Sequence, residues 1–537
     1  MEISRKSIAE NAAAFAAAGV HLPAFDIEAV AKRTAEAPVW VHIGLGNLFK
    51  AFHAVLQQKL LEAGLSDNGI IAVVPNDFES IGRLYTPHDN LFLQVIMKSD
   101  GALLKNVVAS VTEILAANPA APSAWARLKT VFAAPSLQMV TLTITEKGYN
   151  IYALDGSVRP EIAAEFEAGI GAPSHTMLKL CALLHERFLR GSHPVALLTT
   201  DNFAHNGAKL RAAITGAAKE YLARGKVEAA FLDYLNDEAK VSFPLSMIDK
   251  ITPFPAETVA RELASLGLGG MEVSRTERGS VNAAFVNAEE AEYLVVEDRF
   301  PNGRPPLEKA GVLFTNAETV DKTERMKVGT CLNPLHTALA IFGCLLGYTK
   351  ISDEMKDAEL SALVRRMAEK EGLPVVSDPL IISPQKFVKE VIEVRLPNPN
   401  IPDTPQRIAT DTSQKLAIRF GETIKIYKSS ASLDAGSLTL IPLTLAAWCR
   451  YLLGVDDSGA AFKPSPDPLL AEMTALLDGV ELGKPESARG KLKKILSNEK
   501  IFGVDLYDAG LGEKIEGYFA GLIAGPGAVR ASLKKYL

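Results

Sequence analysis

The sequence predicts an α/β domain in the first part of the chain and a mainly α-helical domain in the second part. Apolar, β-branched strands alternate with helical stretches up to about residue 318, and strand patterns become scarce after that point. The 537 residues also exceed one compact core, because single cores stop growing at roughly 250–300 residues. We therefore predict two domains, at residues 1–318 and 319–537.

The α/β prediction begins with the strand Val39–Gly44, which is β-branched and almost wholly apolar, as is typical of a strand buried on both faces. A glycine turn follows, then apolar residues at helical spacing over Phe49–Leu61, then a second apolar strand at Gly69–Pro75. This order is a βαβ unit and implies a parallel sheet. Two further strands, Leu137–Thr145 and Pro194–Thr200, end in polar residues, where open α/β sheets bind ligands.

Helical periodicity accounts for most of the remaining chain. The N-terminal segment is alanine-rich without a continuous apolar core and cleavage site, so we expect an amphipathic helix there and no signal peptide. The other helices are predicted at residues 174–190, 207–224, 333–348, 353–372, 385–393, 438–453, 466–478 and 514–537.

Composition narrows the class of function. The net charge is −6 and no basic run occurs, which argues against a nucleic-acid partner. The four cysteines are far apart and form no CxxC pair, so we do not expect a metal site built from thiolates. Such sparse use of cysteine fits a protein of the reducing cytoplasm. The longest apolar stretch, Leu438–Leu453, contains Pro442 and Arg450 and is shorter than the ~20 residues that cross a bilayer. We expect no membrane partner.

The turn after the first strand predicts cofactor binding. It starts like GxGxxG but has phenylalanine in place of the third glycine. The first glycine permits a tight turn, and the second lets a pyrophosphate approach the positive end of the following helix. Two glycines alone also fit a plain strand–helix turn, but the βαβ context favours a Rossmann-like, dinucleotide-binding domain. The predicted cofactor-binding residues of this turn are Gly44, Gly46, Asn47, Leu48 and Phe49.

The end of the second strand bears on the choice of cofactor. Asp77 is the candidate for holding the adenosine ribose, and a carboxylate there favours NAD because it repels a 2′-phosphate. Asp77 can equally be a solvated loop residue. Arg83 lies close enough in sequence to leave NADP open.

The segment from residue 324 to residue 336 concentrates polar side chains before an apolar helix. Lys327, Asn333 and His336 are candidates for chemistry at this helix start. A structural interpretation is also open: Asn333 followed by Pro334 has the pattern of an N-cap and a first helical residue, and His336 can satisfy a buried hydrogen bond.

Nearly the whole chain, including the glycine turn and the segment 324–336, resembles the long-chain polyol-specific dehydrogenases. This family includes mannitol 2-dehydrogenase, fructuronate reductase and tagaturonate reductase. The segments that carry the resemblance occur in the family's order and are HIGLGNLFKAFHA, TLTITEKGY, TTDNFAHNG, MIDKITP, EDRFPNGRP, ERMK, LNPLH and PNPNIPDTPQRIATDTSQK.

The resemblance implies a metal-independent hydride transfer with a lysine as general base. Lys327 corresponds to that base, whose ordinary pKa of about 10.4 must fall before it works at neutral pH. Asn333 and Asn202 correspond to the amides that stabilise the charge developing on the substrate oxygen. Glu324 corresponds to a glutamate that gates proton exchange between the lysine and bulk water.

The resemblance also implies substrate contacts. His336 corresponds to the histidine that orients the substrate, and Asp249 to the acceptor of a substrate hydroxyl. Arg407 and Lys415 match a substrate-contacting arginine and lysine at the same mutual spacing. Family members are often monomers, and we expect a monomer that binds a small sugar acid or polyol.

One departure from the family pattern concerns spacing. The family asparagine follows the lysine by five positions, whereas Asn333 follows Lys327 by six. One extra residue in a regular helix rotates a side chain by about 100°. The glycine and proline of this segment predict an irregular backbone that absorbs the extra residue. Lys322 and Arg325 are the neighbouring alternatives for the base, and both match the family less well.

The segment 401–419 bears on the substrate. Arg407, Lys415 and Arg419 lie close together in the sequence and suit the carboxylate of a sugar acid, but Arg407 and Lys415 also match polyol-specific members of the family. The sequence of the second half, especially LNPLHTALAIFGCLLGY and NIPDTPQRIATDTSQK, resembles the fructuronate reductase (D-mannonate oxidoreductase) branch. We therefore expect D-fructuronate and D-mannonate as substrates. Mannitol and fructose are the alternative, tagaturonate and altronate the third option. A sensor that binds cofactor without catalysis is a remote option, since the candidate base is present.

Overall fold

The structure is a computed structural model that describes residues 1–153, 155–275, 279 and 281–537. The described residues divide into two compact units. The first unit comprises Met1–Lys98 and Ala102–Asp321, and the second comprises Lys322–Leu537 together with Ser99–Gly101. Strands and helices alternate in the first unit, whereas the second is mostly helical, as predicted.

The centre of the first unit is a parallel sheet. Among the described residues it contains six strands: β1 (Trp40–Ile43), β2 (Ile70–Val74), β3 (Val111–Ala116), β4 (Met139–Leu142), β5 (Val195–Thr199) and β6 (Val241–Ser242). Their order is β3-β2-β1-β4-β5-β6, and every neighbouring pair is parallel. This is the Rossmann order: β2 and β3 are added on one side of β1, and β4, β5 and β6 are added on the other side. The strands predicted from the sequence are β1, β2, β4 and β5.

The apolar composition of these strands is explained by their position. Every residue of β1, β2, β4 and β5 is buried, because helices cover both faces of a parallel sheet. One face of the sheet packs Val41 and Val140 against Leu128 and Leu178. The other face packs Trp40 and neighbours into a separate apolar cluster.

Smaller sheets and helices complete the first unit. The remaining strands are Val20–His21, Phe92–Met97, Leu103–Val108, Ser246–Asp249, Ser274–Arg275, Val281–Asn282, Phe285–Ala288, Tyr293–Glu297 and Leu313–Thr315. The α-helices are Arg5–Glu10, Ala12–Ala17, Ile27–Glu36, Ala54–Glu62 (α1), Pro122–Ala133, Pro160–Ala168, Thr176–Leu189, Asn206–Ala223, Ala229–Asn236 and Glu257–Ser265. The N-terminal amphipathic segment forms two short helices where we expected one.

Helices dominate the second unit. They are Ala317–Met326 (α2, which begins in the first unit), Asn333–Leu345 (α3), Ile351–Glu354, Ala358–Arg366, Pro384–Glu390, Pro405–Ile408, Glu422–Ser429, Leu440–Tyr451, Leu470–Leu476, Lys493–Leu496, Glu499–Phe502, Gly512–Leu522 and Ala528–Tyr536. The single helix predicted at 514–537 was wrong. Gly525 and Gly527 have φ of +147° and +81°, which glycine adopts readily, and Pro526 lies between them.

Several helices contain a π turn, in which the backbone hydrogen bond spans five residues. The π turns are Phe49–His53, Ile81–Tyr85, Lys327–Cys331, Met367–Gly372, Val391–Arg395 and Ala417–Gly421. Such turns occur frequently at functional sites. Phe49–His53 precedes α1, and Lys327–Cys331 joins α2 to α3, so both sequence motifs of interest coincide with one.

The helical run Ala317–Leu345 is long and apolar enough to cross a membrane by length and composition. It is a different segment from Leu438–Leu453, which the sequence indicated as the longest apolar stretch. Of its most apolar window, 67% is buried inside the protein, as in a core helix.

Candidate active site

The glycine turn at the carboxyl end of β1 has room for a ligand. Gly44 has a φ of +110°, and a Cβ atom there would lie 2.1 Å from the carbonyl oxygen of Thr143, so only glycine fits. A Cβ atom at the exposed Gly46 would meet nothing within 4 Å among the described residues. The first glycine is therefore required by the chain itself, and the second leaves open space beside the backbone.

A helix begins directly after this turn. The amide of Lys50 donates to the carbonyl of Gly46 over 3.2 Å, so the positive end of the helix lies at the turn. The hydroxyl of Tyr85 donates to the Leu45 carbonyl over 3.3 Å and supports the loop. Asn47 Oδ1 is buried without a hydrogen-bond donor in the described part of the chain. The open space and the positive helix end fit the pyrophosphate of a dinucleotide.

Phe49 occupies the position of the missing third glycine. Its ring is fully buried and stacks on His42 of β1, with 4.1 Å between the ring centroids. His42 is in turn held between the hydroxyls of Thr141, 2.6 Å away, and Thr143, 2.9 Å away. Burial lowers the pKa of His42 well below its ordinary value, so the ring is neutral. The π turn Phe49–His53 widens the helix where a small residue would otherwise be needed.

The residues after β2 bear on the choice between the two nicotinamide cofactors. Asp77 is half-buried and follows the strand end. Arg83 pairs with Glu79 over 3.2 Å and also donates to the carbonyl of Arg275 over 3.4 Å. A guanidinium neutralised in this way is poorly placed to hold a 2′-phosphate, so the pairing favours the free ribose hydroxyl of NAD.

The carboxyl ends of β4 and β5 are tied together by Asp201. Its carboxylate accepts hydrogen bonds from the amides of Ile144 and Thr145, at 2.9 and 3.0 Å, and from the hydroxyl of Tyr149 at 2.6 Å. This role is structural, and it fixes the backbone that leads to the next residue, Asn202. The polar end of β5 that the sequence indicated thus consists of the buried Asp201, which holds the backbone, and the exposed Asn202.

Asp249 is the last residue of the strand Ser246–Asp249. It pairs in register with Tyr293 of the neighbouring antiparallel strand and is buried. Asn202 and Asp249 both belong to the first unit, whereas the remaining predicted catalytic and substrate residues belong to the second.

Lys327 is the first residue of the π turn between α2 and α3 and is only 2% exposed. The predicted irregular backbone is therefore confirmed: the amide of Leu332 donates to the carbonyl of Lys327, five residues earlier, over 3.1 Å. Glu324, one turn before Lys327, is half-buried in α2, as is Lys322, whereas Arg325 is exposed. Of the three candidate bases, Lys327 alone is buried, which distinguishes it from both alternatives.

Asn333 does not cap a helix, so the predicted N-cap was wrong. The cap position is Leu332, with φ −127° and ψ −64°, and Asn333 is the first residue of α3 with Pro334 after it. The chain arrives from the π turn already coiled, and the amide of His336 donates to the Leu332 carbonyl over 3.0 Å. No side chain caps this helix start. The side-chain amide of Asn333 is therefore not engaged in capping.

His336 lies in the first turn of α3 beside a buried carboxylate. Its Nε2 atom is 2.8 Å from Oδ2 of Asp403. Oδ1 of Asp403 accepts hydrogen bonds from Nε and Nη2 of Arg407, at 3.1 and 2.5 Å. Two residues predicted to contact the substrate are thus joined by a third that the sequence analysis missed. A detectable signal existed, because Asp403 and Arg407 are four residues apart, the spacing of an ion pair within one helical turn.

Three cations, Arg407, Lys415 and Arg419, lie near one another on the segment that follows Asp403. Lys415 donates to the carbonyl of Thr410, and Arg419 donates to the hydroxyl of Thr337 in α3, each over 2.5 Å. Burial, and after it the charges of Arg419 and Arg407, lowers the pKa of Lys415. Burial lowers the pKa of Arg419 to about 10, so it stays charged at neutral pH. Repulsion within such a cluster is relieved when it binds an anion.

Comparisons with known proteins identify the family of both parts of the chain. Residues 39–309 match the mannitol dehydrogenase Rossmann domain, and residues 319–520 match the mannitol dehydrogenase C-terminal domain. A D-mannonate oxidoreductase of Thermotoga maritima is 51% identical over 537 residues, covering 100% of this chain and 99% of that protein. A mannitol 2-dehydrogenase of Aspergillus fumigatus is 29% identical, covering 87% of this chain and 86% of that protein.

Two solved structures resemble the whole chain. A substrate-free D-sorbitol dehydrogenase superposes with a TM-score of 0.78 at 26% identity, covering 96% of this chain and 97% of the other. The mannitol 2-dehydrogenase of Pseudomonas fluorescens, solved as a ternary complex with NAD and D-mannitol, gives a TM-score of 0.71 at 26% identity, covering 100% and 99%. The chain therefore belongs to the mannitol dehydrogenase family, with that family's Rossmann domain followed by its C-terminal domain.

Proposed function

We propose that this protein is an NAD-dependent secondary-alcohol dehydrogenase that interconverts D-mannonate and D-fructuronate. The observation that carries the choice of a sugar acid is the group of three cations, Arg407, Lys415 and Arg419, of which Arg419 contacts Thr337 of α3. A uronate carboxylate needs such an anchor, and guanidinium groups bind it in a fixed geometry. The full-length similarity to a D-mannonate oxidoreductase supports the same substrate pair.

The residues after β1 and β2 fit NAD. The open space at Gly46, the helix end at Asn47 and the carboxylate of Asp77 would hold the pyrophosphate and the ribose. When bound, NAD accepts a hydride from the alcohol carbon, and NADH returns it to the carbonyl carbon.

We assign the proton to Lys327. In the oxidation direction its neutral amine takes the proton of the substrate hydroxyl while the C–H bond gives up its electron pair, and in reduction its ammonium returns that proton. Glu324, one helical turn earlier, passes the proton on to solvent. Asn333 and Asn202 donate to the substrate oxygen as negative charge develops there. His336 orients the substrate, and Asp249 accepts a neighbouring substrate hydroxyl.

The second candidate reaction is mannitol oxidation to fructose. It is favoured by the likeness to mannitol 2-dehydrogenases, which share 26–29% of the sequence. A polyol has no carboxylate, so it would form no charge pair with Lys415 or Arg419. We further propose that the protein works as a soluble enzyme in the cytoplasm, which is supported by four free, buried cysteines at the described positions 181, 331, 344 and 449.

The test is NADH consumption with D-fructuronate, D-tagaturonate and D-fructose at matched concentrations. We expect kcat/KM for fructuronate to exceed that for fructose by at least about tenfold, since a charged anchor contributes at least about 1.4 kcal/mol. Lys327→Ala should abolish turnover and leave NADH affinity unchanged, whereas Lys322→Ala is the matched control and should stay active. A preference for fructose contradicts the uronate assignment, and an active Lys327→Ala variant contradicts the base assignment.

A further inference from the structure

Asp403 joins two residues of the proposed substrate site. Oδ2 faces His336 Nε2 at 2.8 Å, and Oδ1 accepts from Nε and Nη2 of Arg407. Each carboxylate oxygen therefore serves one partner. Asp403 does not use Nη1 of Arg407, and the Arg407 side chain is 63% exposed, so the guanidinium presents a further edge away from the carboxylate.

The backbone around Asp403 is fixed from several sides. Its carbonyl accepts from the amide of Ile351 over 3.1 Å, and its amide donates to the carbonyl of Ile401 over 2.8 Å. Thr404 caps the following short helix through the amide of Arg407, at 3.2 Å. That helix, Pro405–Ile408, packs directly on α3, which carries His336. The side chain of Asp403 is only 8% exposed.

The charge of Asp403 is preserved by its surroundings. Although burial alone would raise the pKa of Asp403, the adjacent His336 ring and the Arg407 guanidinium hold it below its ordinary value. The carboxyl of Glu354 also faces it, and burial followed by the charges of Asp403 and Asp357 raises the pKa of Glu354 to about 9. Glu354 is therefore neutral at pH 7. Asp357 carries a charge but is paired with Arg530 at 2.7 Å.

We propose that Asp403 is a positioning residue that sets the ring of His336 and the guanidinium of Arg407 at a fixed distance and orientation. It acts through these two side chains and does not touch the substrate. A sugar acid that contacts both meets a preformed pair, which lowers the entropy lost on binding. The proposal rests on the proposed function in one respect, since His336 and Arg407 are there taken as substrate contacts.

The first experiment compares Asp403→Asn and Asp403→Glu with the wild type. Because the uncharged amide of Asn has a single acceptor oxygen and cannot hold both His336 and Arg407, we expect KM for the sugar acid to rise at least about tenfold, with a smaller loss in kcat and unchanged NADH affinity. Asp403→Glu keeps the charge and should recover part of the loss. Asp353→Asn is the matched control: it removes an exposed carboxylate paired with Lys356 at 2.8 Å and should behave as wild type.

A double-mutant cycle separates positioning from simple structural support. In an Arg407→Ala background the effect of Asp403→Asn should shrink to about twofold or less, and likewise in a His336→Ala background, because residues that act through one another are not additive. Equal effects in all backgrounds overturn the proposal, as does a wild-type KM in Asp403→Asn. If Asp403→Asn does not fold, the cycle is carried out with Asp403→Glu.

The choice of substrate is tested separately from Asp403. The cycle uses whichever sugar the wild type turns over, so a preference for fructose defeats the uronate assignment without affecting the test of Asp403. If the wild type turns over none, the proposed function fails, and the cycle uses the calorimetric Kd of D-mannonate instead. Absence of mannonate binding to the wild type would then overturn the Asp403 proposal as well.

Discussion

Glu354 is a fully buried carboxyl group, and in the described part of the chain neither of its oxygens has a hydrogen-bond partner. It lies against the backbone of α3, where a Cβ atom at Gly343 would be 1.9 Å from Oε1 of Glu354. Glycine at position 343 thus makes room for the carboxyl. A charged carboxylate would be strongly disfavoured there, and the protonated acid is the stable form.

This burial predicts a dependence of stability on pH. The pKa of Glu354 is about 9 in the folded protein and about 4.3 in an unfolded chain. The raised value means that the folded state holds the proton more tightly. The stability contributed by this group is full below about pH 4.3 and is lost as the pH rises through about 9. While it titrates, the free energy of unfolding falls by at most about 1.4 kcal/mol per pH unit.

Glu354→Gln should remove this dependence, because an amide does not titrate. Urea unfolding at intervals between pH 5 and 9 is the measurement, and the slope against pH is the readout, whatever the absolute stability of the variant. Glu393→Gln, at an exposed position, is the control and should follow the wild type. A Glu354→Gln slope equal to that of the wild type would mean that Glu354 is already ionised in the folded protein.

The sequence predicted candidate site residues but could not predict which side chains they contact. Gly44 is recognisable because a turn of this kind demands a positive φ. Asp403 and Glu354 were missed because each acquires its role from side chains or backbone on another element, the first from His336 and the second from Gly343. The alternative interpretation of Asn333 as an N-cap was wrong, because the Asn-Pro pattern cannot reveal that the preceding residues are already helical.

At the scale of secondary structure, the sequence departs from two expected patterns, the third glycine of the cofactor turn and the spacing from Lys327 to Asn333. A π turn lies at each departure. Phe49 replaces a glycine within Phe49–His53, and the extra residue after Lys327 lies within Lys327–Cys331. A π turn holds one residue more than an α turn without rotating the next helix. The positions of the strands could be predicted from apolar runs. The π turns could not be predicted, because a single π turn has nearly the same apolar periodicity as an α-helix and depends on how the helix packs.

The π turn at Lys327–Cys331 predicts how the chain responds to changes in length. Deleting Gly329, which has no side chain to lose, should convert it to a regular α turn and bring Asn333 to five positions after Lys327. The faces of α2 and α3 are then unchanged, and we expect activity within about tenfold of wild type. Inserting one alanine after Val328 adds a residue that no turn absorbs and rotates α3 by about 100°.

The insertion variant should lose about a hundredfold or more in kcat/KM, since small displacements of reacting groups have effects of that size. Deletion of the exposed Glu393 from the π turn Val391–Arg395 is the matched control for a shortened helix. Steady-state kinetics and circular dichroism are the measurements. A folded but inactive Gly329 deletion would show that the π turn does more than absorb a residue.

At the scale of the whole molecule, the two units each have their own set of elements, and the candidate cofactor residues all lie in the first. A ligand that binds only folded protein stabilises it by mass action, by about 2.7 kcal/mol when its concentration is one hundred times its Kd. NADH should therefore raise the unfolding temperature of the first unit directly, without any substrate being present.

NADPH should stabilise the protein less than NADH at the same concentration. The carboxylate of Asp77 repels a 2′-phosphate, and Arg83 is already paired with Glu79 at 3.2 Å. Differential scanning calorimetry with each cofactor measures the difference, and Asp77→Asn should narrow it by removing the repulsion. Glu36→Gln, at an exposed position outside the predicted cofactor site, is the control and should preserve the difference. Equal stabilisation of the wild type by both cofactors would contradict the assignment of Asp77 to the ribose.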